Sequence, residues 1–261
     1  MASARWLRES WGEKDRSVEE QMSRRFEGQV ALVAGGTGGL GRAVSLAFLG
    51  EGAKVEVTYL APGGWAELQE AAGKLGRQTL KGHEVDVTDE GAVNGLVEKI
   101  VAERGQLDAL VNAVGAYAGG VKLWEMETGV FEKMMALNLR SGYALARAAA
   151  RTMLKQGRGT IVNVAAKAAF DHAAGAAAYA ASKAAALAMI DSLAADLKGS
   201  GVRVNSILPS IIDTAANRKA MPNANFAKWP KPEEIARVIL FLCSEEAKVV
   251  QGAAVPVYGD C

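Results

Sequence analysis

Tyr179 and Lys183 stand four residues apart in the stretch Ile161–Leu187, IVNVAAKAAFDHAAGAAAYAASKAAAL, inside a run of small helix-forming residues. A phenol and an ammonium group one helical turn apart share a face, and that pairing suits acid–base work. A free tyrosine titrates near pH ~10, so it needs a neighbouring positive charge before it exchanges protons close to neutrality. The first half of the stretch supplies only Ala165, Ala166 and Ala168 where a hydroxyl helper is expected. A surface Tyr–Lys pair on an alanine-rich helix is the alternative, and the remaining motifs favour the chemical reading. Asp171 and His172 are adjacent, but with no nucleophile in evidence they read as a structural or solvent-facing pair.

A second constellation lies near the start of the chain. AGGTGGLG, Ala34–Gly41, follows an apolar strand pattern and runs into a helix beginning around Leu40. Glycines in such a turn let the backbone approach a pyrophosphate, whose charge the helix N-terminus then meets. Gly35, Gly39 and Gly41 are the expected cradle. At the end of the second strand stand Thr58 and Tyr59, where a carboxylate would hydrogen-bond a ribose 2′-hydroxyl. Its absence removes the bias toward NAD(H), and no arginine or lysine takes its place or sits within the glycine turn. The expected cofactor is therefore NADP(H) or NAD(H), with a slight tilt to NADP(H). Asp86, at the end of the third strand, either accepts from an adenine amino group or serves as a turn aspartate.

These groups need a scaffold, and the chain alternates short β-branched runs with helical patterns from Gln29 onward. Strands are expected at Gln29–Ala34, Lys54–Tyr59, Thr79–Val87, Ala109–Val114, Thr160–Val164, Arg203–Leu208 and Ala253–Val257. Helical patterns fall at 41–52, 90–105, 131–157, 178–199 and 232–247. The expected fold is α/β: a Rossmann-like, doubly wound, seven-stranded parallel sheet in one domain, 26–261. Residues 1–25 lack sustained periodicity and read as a surface extension, either mobile or docked on a partner through Trp6 and Trp11. The segment Pro209–Pro232 breaks the alternation and reads as a lid over a binding site.

Bulk properties narrow the partners. The chain has 261 residues, half of them apolar, enough for one large core. Thirty basic and 29 acidic side chains leave a net charge of +1, which gives no field to select nucleic acid or an anionic membrane. A small-molecule substrate is expected. Cys243 and Cys261 have neither metal-like spacing nor disulfide density, and no apolar run reaches membrane-spanning length. A cytoplasmic chain without a metal site is the expectation.

The spacing Gly35-x-x-x-Gly39-x-Gly41, VNAVG with Asn112, Asn138 in a long helix, Tyr179-x-x-x-Lys183, and Pro209 followed by Thr214 resemble the short-chain dehydrogenase/reductase family. That resemblance implies hydride transfer between a nicotinamide dinucleotide and a carbonyl, alcohol or related group, in a homodimer or homotetramer. It implies cofactor contacts from Thr37, Gly38, Leu40, Val87, Ala113, Val114, Gly115, Pro209, Ile212 and Thr214 as well as the groups above. Tyr179 is then the acid, Lys183 also reaches the nicotinamide ribose, and Asn138 either holds a water that relays protons to Lys183 or is satisfied by backbone. The alanine-rich helix faces around Ala144–Ala150 and Ala180–Ala195 are implied subunit contacts.

Ala34, Val114 and Ser210 depart mildly from the family pattern, and Ala166 departs strongly, because the family's catalytic serine lies thirteen residues before the tyrosine. AKAAFDHAAG, the YAGG of Tyr117–Gly120 and DTAANRKAMPNANFAKW resemble the dihydropteridine reductase branch, which also has alanine then lysine there. An activated quinonoid dihydropterin needs less help from an oxyanion donor than a ketone does. Lys167 either faces an anionic or carbonyl-bearing substrate or is solvated. Trp229 and Phe226 either cover a flat heteroaromatic ring or pack the lid against the body. A generic carbonyl or 3-oxoacyl reductase, and a cofactor-binding protein that has lost catalysis, are the competing readings.

Overall fold

The structure, a computed structural model, describes residues 24–76 and 79–261. The expectation for Trp6, Trp11 and the extension through residue 23 lies outside the described residues.

Seven parallel strands form one sheet in the order β3-β2-β1-β4-β5-β6-β7: β1 (Val30–Ala34), β2 (Lys54–Tyr59), β3 (Leu80–Glu84), β4 (Ala109–Asn112), β5 (Gly159–Val164), β6 (Val202–Pro209) and β7 (Ala254–Val257). The inner strands are apolar on both faces because helices cover both. Alternate residues of one strand therefore enter different cores. Ala31, Val33, Val55 and Val57 pack with α1 (Gly39–Gly50) and α8 (Pro232–Cys243). Val30, Leu32, Leu110 and Ile161 pack with α3 (Glu90–Arg104), α5 (Ser141–Gln156) and α6 (Ala177–Asp196). The chain winds from β1 out to β3 and then crosses to β4, so β1 and β4 flank a switch point whose crevice opens at the strands' carboxyl ends.

Three expectations change. The third strand stops at Glu84, leaving Asp86 and Val87 in the turn beyond it, where Asp86 Oδ1 accepts from the Thr88 backbone N–H and hydroxyl. The long helical pattern 131–157 resolves into α4 (Thr128–Met135), a π turn over Ala136–Arg140, and α5. Part of the expected contact face turns inward: Ala144, Ala146 and Ala148–Ala150 are buried within the fold's own core, because their missing bulk lets α5 lie close to its neighbours. On the outer surface, Ala185 and Met189, from the second expected face, line an apolar groove with Phe131, Met135, Leu139 and Tyr143 over α4, the π turn, α5 and α6.

One helix escapes the hydrophobic pattern. α2 (Pro62–Lys74) begins Pro-Gly-Gly, which reads as a turn, yet proline suits the first helical turn and Leu68 and Ala72 bury its inner face. In the lid, α7 (Ala215–Ala220) is a single short helix. Within the sheet layer, the fully buried Glu56 accepts from Arg104 Nε at 2.7 Å and pairs with His83 Nε2 at 2.6 Å. Among the described residues, no helix is long and apolar enough to cross a membrane.

Candidate active site

Each arm of the site comes from a strand's carboxyl end. After β1, Gly35 takes φ +72°, a left-handed conformation that favours glycine, and its N–H donates to Thr58 Oγ1 at 3.0 Å. A Cβ on Gly41 would stand 2.0 Å from the Gly35 carbonyl oxygen, and one on Gly39 would stand 2.7 Å from Thr214 Cγ2. No side chain caps α1 and its first turn holds no acidic residue. Gly38 and Gly39 are exposed, so the helix's free N–H groups remain open. This cradle, which a Cβ would fill, fits a dinucleotide pyrophosphate.

At the end of β2, the Tyr59 ring stacks on Trp65 with centroids 5.4 Å apart and planes 2° apart. Gly64 lies against Thr37, which brings the uncapped start of α2 up to the glycine turn. Two groups here are absent from the sequence reading. Trp65 belongs to the helix that the pattern hides. Arg42, one residue past Gly41, pairs through Nη2 with Glu67 of α2 at 2.5 Å while its Nε is buried without a partner among the described residues.

After β4, Asn112 is buried: its Nδ2 donates to Asn163 Oδ1 at 3.0 Å and its Oδ1 accepts from Val114 N at 3.2 Å, shaping the turn Ala113–Gly115. Gly115 has to be small, since a Cβ there would stand 2.9 Å from Asn138 Oδ1 and 3.1 Å from Lys183 Nζ. Asn138, in the π turn, accepts from Ala116 N at 2.9 Å and donates to Ala116 O and Ser182 Oγ, both at 3.0 Å. Both ends of its amide are thus engaged, and it pins the β4 loop to α6.

A cleft of about 570 Å³ gathers Leu40, Val114, Gly115, Ala166, Lys167, Tyr179, Lys183, Pro209 and Ile212, together with Asn217 and Met221 from the lid. The expected pull of Lys183 on Tyr179 is not what the geometry gives. Lys183 is buried and its Nζ donates to the Val164 carbonyl at 3.0 Å. Burial pushes its ammonium down to about 8, and burial, with a smaller push from Tyr117, raises the Tyr179 phenol to about 12. Desolvation is the leading cause for both groups. The phenol consequently stays protonated, the form that an acid requires.

Ala166 is 6% exposed on the cleft wall where β5 ends. Lys167 also lines the cleft, 3.4 Å from Asp171 Oδ2 and 5.4 Å from the Tyr258 ring centroid, so its charge is partnered. Trp229 settles on the packing alternative: it is buried, tilts against Phe226 at 4.9 Å and does not line the cleft. The Asp213–Arg218 pair at 2.5 Å, with the Arg218 guanidinium 4.9 Å from the Phe226 ring, knits the lid together. His172 Nε2 has one hydrogen-bond partner among the described residues, the Ala169 carbonyl at 3.3 Å. Tyr117 enters the site as well: its ring meets that of Tyr179 edge to face at 5.0 Å. The sequence singles it out only as part of YAGG, with no role attached.

A family model described as enoyl-(acyl carrier protein) reductase matches residues 34–259. The 3-oxoacyl-[acyl-carrier-protein] reductase of Thermotoga maritima is 32% identical over 244 residues, covering 90% of this chain and 98% of that protein. NAD+-bound xylitol dehydrogenase superimposes with a TM-score of 0.83 at 25% identity, covering 90% of this chain and 99% of that one. ElxO with NADP bound gives 0.81 at 26% identity, covering 88% and 97%.

Proposed function

The chain belongs to the short-chain dehydrogenase/reductase family, and on that premise we propose that it is an NAD(P)H-dependent reductase of an activated, conjugated acceptor of the dihydropterin type. Ala166 carries this reading. It replaces a hydroxyl on the cleft wall, its neighbours Ala165 and Ala168 offer none, and the Ser210 hydroxyl of the same cleft is spent on the Tyr258 carbonyl at 2.6 Å. A simple ketone builds negative charge on oxygen, and loss of one preorganised donor costs about 3 kcal/mol of barrier. An electron-poor quinonoid dihydropterin accepts hydride with less of that help. The lid sequence Asp213–Trp229 supports the same acceptor class by resemblance.

The dinucleotide, when bound, supplies two electrons and a hydrogen. Gly35, Gly39, Gly41 and the start of α1 would hold its pyrophosphate. Thr37, Gly38, Tyr59, Asp86, Val87 and the Ala113–Gly115 turn would border its adenosine half, and Pro209, Ile212 and Thr214 would close the nicotinamide end. The missing carboxylate at Tyr59 and the uncapped, acid-free start of α2 favour NADP(H) over NAD(H). Lys183 holds the ribose hydroxyls, Tyr179 donates the proton, and Asn138 sets the height of the loop between them. The reading includes a homodimer or homotetramer built on the apolar groove over α4, α5 and α6.

Side-by-side reduction of quinonoid dihydropterin and acetoacetyl thioester, each with NADH and with NADPH, tests this. Dihydropterin turnover is expected. Turnover of the thioester alone sinks the proposal in favour of 3-oxoacyl reduction, and dinucleotide binding without turnover of either points to a chain that has lost catalysis.

A further inference from the structure

We propose that the Tyr117 hydroxyl supplies the hydrogen bond to the acceptor that Ala166 cannot, so that two phenols, Tyr117 and Tyr179, flank the reacting group. The inference rests on the reading that Tyr179 protonates an acceptor in this cleft, but not on which acceptor enters.

The donors around the cleft narrow the choice. The Ser210 hydroxyl is spent on Tyr258 O, Asn217 Nδ2 gives one N–H to Ile212 O at 2.8 Å, and Lys183 Nζ gives one of its three protons to Val164 O, its others being assigned to the ribose. Lys167 is held between Asp171 and the Tyr258 ring. The Tyr117 hydroxyl has no hydrogen-bond partner among the described residues, although the ring lines the cleft and meets Tyr179 at 5.0 Å and 75°. Tyr117 is 69% exposed, and an acceptor entering the cleft would cover it.

The loop is shaped to present this phenol. A Cβ on Gly119 would lie 2.2 Å from Tyr117 Oη, so any side chain there would displace the hydroxyl. Gly120, at φ +87°, makes the following turn. One residue earlier, Asn138 grips both the N–H and the carbonyl of Ala116. The backbone that carries the phenol is thus held before substrate arrives, which lowers the reorganisation cost of stabilising developing charge. The two phenols are also close enough for Tyr117 to add to the upward push on Tyr179. No atom is transferred from Tyr117: it donates a hydrogen bond and keeps its proton, while Tyr179 gives up its own.

The test measures kcat, and dinucleotide Kd by fluorescence, for wild type, Tyr117→Phe, Tyr117→Leu and the double variant Tyr117→Phe with Ala166→Ser, on whichever acceptor wild type reduces fastest. The expected result is a fall in kcat for Tyr117→Phe of about 10-fold if that acceptor is a dihydropterin and about 100-fold if it is a ketone or thioester, with Kd unchanged, and recovery of most of that loss in the double variant. Tyr117→Phe within about two-fold of wild type overturns the inference. A loss seen only in Tyr117→Leu overturns it too, since the ring would then act by packing alone. Failure of the acceptor assignment shows up separately, as a wild-type preference for the thioester.

Discussion

The Lys183 ammonium donates to the Val164 carbonyl at 3.0 Å, tying α6 to the carboxyl end of β5 and fixing the one buried lysine of the cleft in place. The strand end thus sets where the buried charge of the cleft sits.

A pH signature follows. Folded Lys183 releases its proton through about pH 8, whereas the unfolded chain holds it to the ordinary value of 10.5. The unfolded state therefore binds more protons at this site between those values, and the Lys183 contribution to stability rises with pH across that window, by about 3 kcal/mol in all, while burial of the Cys243 thiol, pushed up to about 11, offsets part of it above pH 9. Activity runs the other way: kcat/KM for reduction falls as pH climbs through about 8, because the charged form holds the ribose. Lys183→Met should flatten the stability profile and raise Tm at pH 7 while lowering turnover by at least about 100-fold. Thermal denaturation of both proteins from pH 6 to 10 checks this, and a wild-type Tm that does not rise above pH 8 contradicts it.

Gly115 tests the packing beneath that lysine. An added methyl lies 3.1 Å from Lys183 Nζ and 2.9 Å from Asn138 Oδ1, so Gly115→Ala should push the ammonium off Val164 and loosen the β4 loop. Turnover is expected to fall by about 100-fold, with stability down by about 1–3 kcal/mol from overpacking. Kinetics set beside denaturant unfolding separate the two effects, and unchanged kinetics would sink the assignment.

Ala166→Ser restores the family's hydroxyl. The expected gain is about 10-fold or more in kcat/KM for a simple ketone or a β-ketothioester, with little change for a quinonoid dihydropterin. Equal gains on all acceptors would mean that the alanine does not discriminate between them.

The buried Glu56 offers a control far from the chemistry. Glu56→Gln leaves Arg104 and His83 short of their shared carboxylate and should cost about 3 kcal/mol in urea unfolding, with KM for the dinucleotide unchanged. A cost near zero would show the triad to be replaceable.

The chain's own residue pattern already determines the layered fold. Strands buried on both faces must be nearly continuous apolar runs, and crossover helices must repeat every three to four residues, so both kinds of element are legible one segment at a time. Lys54–Tyr59 is a strand in both sequence and structure. The placement of Tyr179 and Lys183 one turn apart on a helix and the glycine turn are legible for the same reason, since each is a local geometry written in nearby residues. Tertiary structure alone decides what depends on neighbours distant in sequence. Tyr117 reaches Tyr179 only because β4 and β5 lie side by side in the sheet. Lys183 turns to Val164 rather than to its helical neighbour because a buried ammonium takes the nearest carbonyl. Trp229 packs inward because the Arg218–Phe226 contact folds the lid onto itself, and Arg42 comes into view only once α2 lies beside the glycine turn. Spacing along the chain carries periodicity, but it carries no information about which loops converge once the sheet has formed.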